Sequence, residues 1–262
     1  MNFAVCVKWT LEPSGRLKLK GNWVDEDSMT HSMNSYDRHA IEESLRWRES
    51  LGGKVTLITL GGEKARDVLL EGLAMGADEG VHIVSRDQVS INPYLKAWAV
   101  RSALAHIDLS FDIIFCGAQS IDTTSAQFGP ILAEYLGIPH ISLVSRVEFT
   151  ESRKLTAWRE IEEGREEAFK LKPPVLLTVQ SGINDPRLPT MLNIIKARQK
   201  RLETLTFEEL TNDGPSWMAE IIQVHEVYQP PSKEPKVITG KAEEMAKEMM
   251  TILRDELEVF LH

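Results

Sequence analysis

Four short apolar runs, each joined to the next by a segment with helical spacing, limit the possible folds of this chain most strongly. The runs cover residues 3–7, 55–60, 81–84 and 113–116, and the helical segments cover 38–50, 63–75 and 92–107. Short apolar runs bounded by turn residues are typical of buried strands. Because a helix joins each strand to the next, the strands should lie parallel. The sequence therefore predicts an α/β fold with a mostly parallel sheet.

The fourth run leads into the segment that says most about function. Residues 112–137 read DIIFCGAQSIDTTSAQFGPILAEYLG, which predicts a strand, a hydroxyl-rich loop and a helix that begins near Ser125. Pro130 fits the first turn of this helix, where an amide has no intrahelical partner. The loop would then lie at a helix N-terminus and at the carboxyl end of a parallel strand, where anions and ligands bind. The alternative is a plain connection whose Thr123, Thr124 and Ser125 only cap the helix.

Composition and charge exclude several classes of protein. The formal net charge of −9 argues against a nucleic-acid-binding protein, which normally has a basic domain or stripe. No apolar run approaches the roughly 18 residues of a membrane span. Cys6 and Cys116 stand in apolar runs without metal-ligand spacing, so no metal site is expected and both are interpreted as core thiols. A reducing, cytoplasmic location is the expectation.

The second half of the chain has a different pattern. The runs VSRVEF, KLTAWREI and EEAFKLK, within residues 144–172, predict antiparallel hairpins added to the sheet. The glutamates near the turn at Gly164 are read as a solvated face, and no catalytic residue is predicted. Residues 204–240 lack periodicity, and 241–260 predict an amphipathic helix with an apolar side that includes Met245, Met249 and Leu257. This division predicts a domain at 1–203 and a C-terminal arm at 204–262.

Familiar nucleotide and hydrolase motifs are missing from the sequence. It contains no G-x-G-x-x-G after the first strand, no G-x-x-x-x-G-K-[ST] and no G-x-S-x-G. A dinucleotide fingerprint, a P-loop and a hydrolase nucleophile elbow are therefore unsupported.

Four sequence blocks, taken in order, resemble the β subunit of electron transfer flavoprotein. They are HSMNSYDRHAIEESL (31–45), GLAMGAD (72–78), GAQSIDTTSAQFGPILAEYLG (117–137) and INDPRLPTMLNIIKAR (183–198). The resemblance runs from the first strand to the final helix. It implies a doubly wound, adenine-nucleotide α-hydrolase-like domain, a larger α subunit that holds or shares the redox-active FAD, and a C-terminal arm that reaches across that partner. It further implies AMP in this chain or, in electron-bifurcating members that use NADH, a second FAD.

The resemblance also implies which residues bind the nucleotide. These residues are Cys6 through its backbone, Asn34, Ser35, Tyr36, Asp37, Leu60, Gly117, Ala118, Gln119, Ser120, Ile121, Asp122, Thr123, Thr124, Ser125, Ala126, Gln127 and Phe128. Read without the family, Asn34 and Asp37 also fit an ordinary capping box, and Tyr36 would be assigned to the core.

Two departures from the family pattern affect the ligand and the partners. The family's monophosphate-binding members carry acidic and Asn/Thr residues where this chain has Thr124, Ala126 and Phe128, and S-A-Q-F-G-P resembles the bifurcating form. The second similarity favours a second FAD modestly. AMP stays open, because Trp9 and its neighbours stand where the family's V-P-D-T-like stretch is expected after Lys8. Where the family has a docking Leu-Pro, this chain has Met191 and Leu192.

The docking role has a structural alternative. The resemblance assigns Leu188, Met191 and Leu192 to a segment that docks flavin-dependent dehydrogenases. Methionine suits this role because it can fill an irregular apolar pocket. The alternative is that these residues, with Ile195, cover the domain's own core. Three of them come just after P-R-L-P, in a loop context, which favours docking.

Two functions follow from these observations. The first is a subunit of an electron-carrying heterodimer that takes electrons from flavin dehydrogenases and passes them on, without bond-making residues of its own. The second is a stand-alone ATP- or AMP-binding protein of the universal-stress type, which shares the α/β architecture. The second would need a Gly-rich phosphate loop near the last strand, and the sequence has none.

Overall fold

The chain forms two compact units, Met1–Val227 and Tyr228–His262. The computed structural model describes residues 1–12, 18–21, 23–25, 29–85, 92–107, 110–149, 154–215, 217–222, 226–228 and 237–256. The division between the units falls later than the expected boundary after residue 203. The reason is that residues 202–206 form an edge strand of the first unit, so the sheet continues past that boundary.

Within the described residues, nine strands build the main sheet of the first unit. Their order across the sheet is β11 (Glu166–Leu171), β10 (Leu155–Glu160), β9 (His140–Phe149), β12 (Val175–Val179), β8 (Ile113–Gly117), β1 (Asn2–Cys6), β6 (Lys54–Gly61), β7 (Glu79–Val84) and β13 (Leu202–Thr206). In this order across the sheet, each neighbouring pair from β9 through β12, β8, β1, β6 and β7 to β13 is parallel. The β9–β10 and β10–β11 pairs are antiparallel. The predicted mostly parallel sheet with added hairpins is confirmed.

Helices of the first unit cover the sheet, and short strand pairs form separate two-stranded sheets. The helices are α1 (Ser35–Leu51), α2 (Arg66–Met75), α3 (Pro93–His106), α4 (Phe128–Leu136), α5 (Met191–Ala197), α6 (Phe207–Thr211), α7 (Trp217–Glu220) and, in the second unit, α8 (Ala242–Thr251). A single turn of 3₁₀-helix, Glu63–Ala65, leads into α2, another follows β10 at Glu162–Gly164, and α8 runs on with π-type bonding through Ile252–Glu256. The small pairs are β2 (Trp9–Leu11) with β5 (His31–Met33), and β3 (Leu19–Lys20) with β4 (Trp23–Val24).

Alternating residues of the central strands pack into two separate hydrophobic cores, one on each face of the sheet. On β1, Phe3 and Val5 pack with Ile41 of α1, whereas Ala4 and Cys6 face the side covered by α3 and α4. Both sets are buried because successive side chains of a strand point to opposite faces. Full burial of a large apolar side chain contributes about 1.5–3 kcal/mol. The apolar runs read from the sequence are thus strands buried on both faces.

The strand order fixes where a ligand crevice can form. The chain passes from β1 through α1 to β6 on one side, and later returns to β8 on the other side of β1. The connections that leave β1 and β8 therefore run in opposite directions. In open α/β sheets, ligands bind at such a switch point, outside the carboxyl ends of the strands.

The C-terminal helix follows the predicted segment over part of its length. α8 covers Ala242–Thr251 and includes Met245 and Met249, while the predicted apolar residue Leu257 lies outside the described residues. In the part of the chain that the structure describes, no helix has the length and apolar character needed to cross a membrane.

Candidate functional site

A cavity of about 120 Å³ lies at the switch point, where the carboxyl ends of β1, β6 and β8 meet. It is lined by Cys6, Val7, Lys8, Asn34, Asp37, Ile58, Leu60, Pro93, Lys96, Val100, Cys116, Gly117, Ala118, Gln119, Ser120, Thr123, Ser125, Ala126, Gln127, Phe128 and Gly129. Parallel strands end on the same edge of a sheet, so residues distant in sequence meet there. Residues from the ends of these three strands line the same cavity.

Asn34 holds the loop that follows β8. Its side-chain amide donates to the Gln119 carbonyl and to Asp37 Oδ1, each at 2.9 Å, and its Oδ1 accepts from the Ile121 amide at 3.1 Å. Asn34 is the N-cap residue of α1, yet its side chain makes no capping bond. The capping-box alternative is therefore wrong for this residue. The side chain ties the start of α1 to the loop instead.

Asp37 joins the same helix to two strand ends. Its carboxylate accepts from the Lys8 amide at 2.7 Å and from the Gly117 amide at 3.1 Å, besides the Asn34 side chain. Burial raises the pKa of Asp37 to about 7, although these hydrogen bonds act in the opposite direction. Together, Asn34 and Asp37 form a buried polar pair that fixes β1, α1 and the loop after β8 relative to one another.

Gly117 allows this close approach. A Cβ atom at this position would lie 2.3 Å from Asp37 Oδ1 and 2.7 Å from Tyr36 Cβ. No side chain fits there unless the start of α1 moves. Tyr36 itself is half-buried, and its hydroxyl accepts from Gln119 Nε2 at 3.3 Å, so it is a neighbour of the loop and not a core residue.

The loop between β8 and α4 is longer than predicted. The helix begins at Phe128, not near Ser125, and its N-cap Gln127 makes no side-chain capping bond. Thr124 and Ala126 have φ angles of 48° and 53°, in the left-handed region that a helix cannot contain. The hydroxyls of Thr123, Thr124 and Ser125 consequently do not cap α4, and the loop keeps an irregular backbone along the cavity.

Lys8 brings a positive charge to this loop. Its Nζ lies 2.6 Å from Asp122 Oδ1 and 3.2 Å from Ser120 Oγ, and Ser120 Oγ lies 2.7 Å from Thr123 Oγ1. Burial acts to raise the pKa of Asp122, but the Lys8 ammonium, the hydrogen bond from Ser120 and the charge of Lys96 together outweigh burial, so the pKa is lowered. Lys96 of α3 also lines the cavity. Two lysines thus provide cationic groups at the loop.

Cys6 and Cys116 are neighbours on adjacent strands, and both line the cavity. They are register partners on β1 and β8, and both are free, buried thiols. The hydrogen bond between them and their burial raise the pKa of the Cys116 thiol. Both belong to the core, as interpreted from the sequence, but they also border the cavity.

The structure brings most of the predicted nucleotide-binding residues together. Ser35, Tyr36, Ile121, Asp122 and Thr124 lie in or beside the same segments without lining the cavity. The sequence interpretation missed Val7, Lys8, Ile58, Pro93, Lys96, Val100, Cys116 and Gly129 as lining residues. The position of Lys8, two residues after the end of β1, was an available signal, whereas nothing in the sequence marked Lys96. Contact of any of these residues with a nucleotide stays a prediction.

The predicted docking residues lie elsewhere, on the surface around the start of α5. The exposed fractions are 83% for Leu188, 76% for Met191 and 60% each for Leu192 and Ile195. These side chains do not cover the core of the first unit, so the alternative interpretation from the sequence is wrong for this chain. Of the α5 residues, Ala197 is the one that is buried.

The doubly wound sheet and the crevice at its switch point define this chain as an α/β protein with a cavity at its strand ends. Residues 22–210 match the family described as electron transfer flavoprotein domain. The chain is 35% identical over 262 residues to the electron transfer flavoprotein subunit beta of Bacillus subtilis (strain 168), covering 99% of this chain and 100% of that relative. It is 41% identical over 182 residues to the subunit of the same name from Thermoanaerobacterium thermosaccharolyticum, covering 69% and 68%.

A further relative carries a different name. The acryloyl-CoA reductase electron transfer subunit gamma of Anaerotignum propionicum is 32% identical over 216 residues, covering 81% of this chain and 80% of that relative. The chain belongs to the electron transfer flavoprotein family, and the resemblance read from its sequence is confirmed. Its relatives support a role in electron transfer.

Proposed function

We propose that this chain is the β subunit of a heterodimeric electron carrier and that the cavity at its switch point binds an adenine nucleotide. The partner is an α subunit that holds, or shares with this chain, a redox-active FAD. The carrier takes electrons from flavin-dependent dehydrogenases and passes them on. The observation that supports this best is the loop after β8, which Asn34 and Asp37 fix over the cavity by buried hydrogen bonds.

The residues of the cavity fit the chemistry of a nucleotide. Ser120, Thr123 and Ser125 supply hydroxyl groups, Lys8 and Lys96 supply positive charge, and the first turn of α4 supplies amides without intrahelical partners. These groups suit a phosphate. Apolar walls from Ile58, Leu60 and Val100 suit the face of a purine base. A bound FAD would supply electron-transfer chemistry, whereas AMP would serve structure alone.

Two observations bear on the identity of the nucleotide and point in opposite directions. The loop carries small side chains at Ser125 and Ala126, which leave room for a diphosphate and favour a second FAD. The volume of about 120 Å³ is below the roughly 300–1,000 Å³ of typical ligand pockets, which favours the smaller AMP. Bifurcation of electrons from NADH follows only if the second flavin is present.

We propose that flavin dehydrogenases dock on residues 188–195, which are called the docking segment. Exposed apolar side chains at Leu188, Met191, Leu192 and Ile195 form a patch next to a polar surface, which is typical of an interaction site. The α8 helix is proposed to bind the α subunit, because its apolar residues Met249 and Met250 are about half exposed and so available for contact. A cytoplasmic location stays a prediction from the sequence.

The decisive experiment is analysis of the nucleotide and flavin content of the complex. This chain would be produced together with its α subunit, and the extracted nucleotides would be separated and the flavins counted by absorbance. One flavin with one AMP per heterodimer identifies a simple carrier, and two flavins identify a bifurcating unit. A colourless, stable monomer that binds ATP would contradict the proposal and support the universal-stress alternative.

A further inference from the structure

The segment before α5 is fastened to the surface of α1 at two points. The first point is Asn184, whose side-chain amide donates to the His39 carbonyl at 3.0 Å and to Glu43 Oε2 at 2.9 Å. His39 Nδ1 in turn lies 3.0 Å from the Asn184 carbonyl. The second point is Arg187, three residues further on. Both points lie in the approach to the docking segment.

Arg187 makes the more extensive attachment. Its Nε and Nη2 donate to the two carboxylate oxygens of Glu42 at 2.8 and 2.9 Å, and its backbone amide donates to Glu42 Oε2 at 3.1 Å. Its Nη1 and Nη2 donate to Glu49 at 2.6 and 3.2 Å. One guanidinium therefore bridges two carboxylates on α1. Such paired contacts fix orientation as well as distance, because the planar group matches the carboxylate geometry.

The two carboxylates differ in their environment. The Glu42 side chain is 7% exposed and the Glu49 side chain is 49% exposed. The hydrogen bond from Arg187 lowers the pKa of Glu49, although burial acts in the opposite direction. Glu42 is thus the buried anchor of the attachment, and Glu49 closes it on the solvent side.

The attachment lies directly before the exposed apolar residues. Leu188 follows Arg187 in the chain, and the α5 N-cap is Thr190, whose hydroxyl accepts from the Asn193 amide at 3.3 Å. The side chain of Leu188 itself is 83% exposed and so gains little from packing within this chain. Its position must come from the backbone on either side, which Arg187 and the start of α5 hold.

We infer that Arg187 is a positioning residue for docking: by bridging Glu42 and Glu49 it holds Leu188 and Met191 in the arrangement that a partner dehydrogenase binds. This inference rests on the proposed docking function. A segment that is already ordered loses less conformational freedom on binding, so preorganisation raises affinity without adding a contact. Arg187 therefore affects the partner through the segment and not by touching it.

Substitution by lysine separates position from charge. Arg187→Lys keeps the positive charge but cannot bridge two carboxylates with a planar group. Glu42→Gln weakens the same attachment from the α1 side. Arg198→Gln is the matched control, because Arg198 is an exposed arginine just beyond α5 and its removal changes the net charge by one.

The first measurement is amide hydrogen exchange in the intact heterodimer. For Arg187→Lys and Glu42→Gln, we expect exchange across residues 188–192 to quicken by about fivefold or more, consistent with loss of a bidentate pair. Exchange in β1 and β8 should stay unchanged, which shows that the fold is intact. Arg198→Gln should match the wild type. Unchanged exchange at 188–192 in both test variants would overturn the inference.

The second measurement is electron transfer from a purified flavin-dependent dehydrogenase that reduces the wild-type complex. We expect Arg187→Lys to raise KM for this dehydrogenase by about fivefold with kcat within about twofold, because docking is affected and the flavin is not. A Leu188→Ser variant tests docking itself. If Leu188→Ser raises KM and Arg187→Lys does not, the positioning role is wrong while docking stands. If neither raises KM, the docking proposal fails.

Discussion

The cavity at the switch point and the proposed docking segment, residues 188–195, are held in place in opposite ways. In the cavity, buried polar groups hold a loop in place, and Asp37 is 5% exposed. In the docking segment, a half-exposed ion-pair network holds apolar side chains in solvent, and Leu188 is 83% exposed. Buried polar groups are costly when a partner is lost, whereas exposed apolar groups contribute little to the isolated chain. Substitutions in the cavity should thus affect stability and binding together, and substitutions in the docking segment should affect binding alone.

The largest effect is expected from Asp37→Ala. The change leaves the Lys8 and Gly117 amides without their acceptor, and each unsatisfied buried group costs about 1–3 kcal/mol. The free energy of unfolding should fall by about 2–6 kcal/mol, and the purified complex should lose its nucleotide. Urea unfolding and nucleotide extraction measure the two effects. Asp67→Ala, at an exposed acidic residue of α2, should change neither. A variant as stable as the wild type, with nucleotide retained, would show that the pair is not what fixes the loop.

Gly117→Ala should have the second largest effect, mainly on the ligand. The added methyl would lie 2.3 Å from Asp37 Oδ1, so either the start of α1 or the loop must move. We expect nucleotide affinity to fall by about tenfold or more and stability by about 1–3 kcal/mol, as for other overpacked sites. Equilibrium dialysis against AMP and against FAD measures the affinity.

Gly62 offers a matched control for this substitution. It has a φ of −63°, and a Cβ there meets nothing within 4 Å. Gly62→Ala should therefore leave the affinity and the free energy of unfolding close to wild type. Equal losses in Gly62→Ala and Gly117→Ala would contradict the steric explanation.

Leu188→Ser tests whether the docking segment affects binding without affecting stability. Because the side chain is largely exposed, the free energy of unfolding should change by less than about 0.5 kcal/mol. The KM for a docking dehydrogenase should rise by about tenfold, the size expected for a central apolar contact of an interface. Leu51→Ser, at the exposed C-terminal end of α1, serves as the control. A fall in stability without a change in KM would place Leu188 in the core after all.

The sequence predicted the fold and the position of the crevice because both depend on local patterns. Apolar runs such as 3–7 and 113–116 require burial on both faces, and parallel strands must end at one edge. The edge strand β13 was missed, since its half-exposed residues Leu202–Thr206 give no continuous apolar signal. The late start of α4 was missed as well, because Thr124 adopts a left-handed φ that is rare outside glycine.

The chemistry of the site was harder to read because it depends on contacts between distant segments. Asn34 has the sequence context of a capping residue, and only the fold brings it against Gln119 and Ile121. Cys6 and Cys116 become neighbours only through the pairing of β1 with β8. Single-sequence patterns carry helical and strand periodicity but no information on such pairings.

The smallest effect, and the one most sensitive to pH, is expected from Lys8→Met. Lys8 and Asp122 are partly exposed, so their ion pair should contribute no more than about 1 kcal/mol. The pKa of Asp122 in the folded chain lies below its ordinary value of 3.8. The folded state therefore binds fewer protons than the unfolded state near that pH, and the stabilisation is present above pH 3.8 and lost as the pH falls through the folded pKa.

Lys8→Met should weaken this acid-dependent step in urea unfolding measured from about pH 5 down to about pH 2, a window that includes the ordinary pKa of 3.8 and the lower pKa of the folded chain. It should also weaken nucleotide binding a few-fold, more at low salt than at high salt, because Nζ then no longer offers a charge to the phosphate. Lys20→Met removes an exposed lysine of β3 and should show neither change. If Lys8→Met keeps the acid step, the stabilisation of the Asp122 carboxylate comes from the Ser120 hydroxyl and the Lys96 charge and not from Lys8.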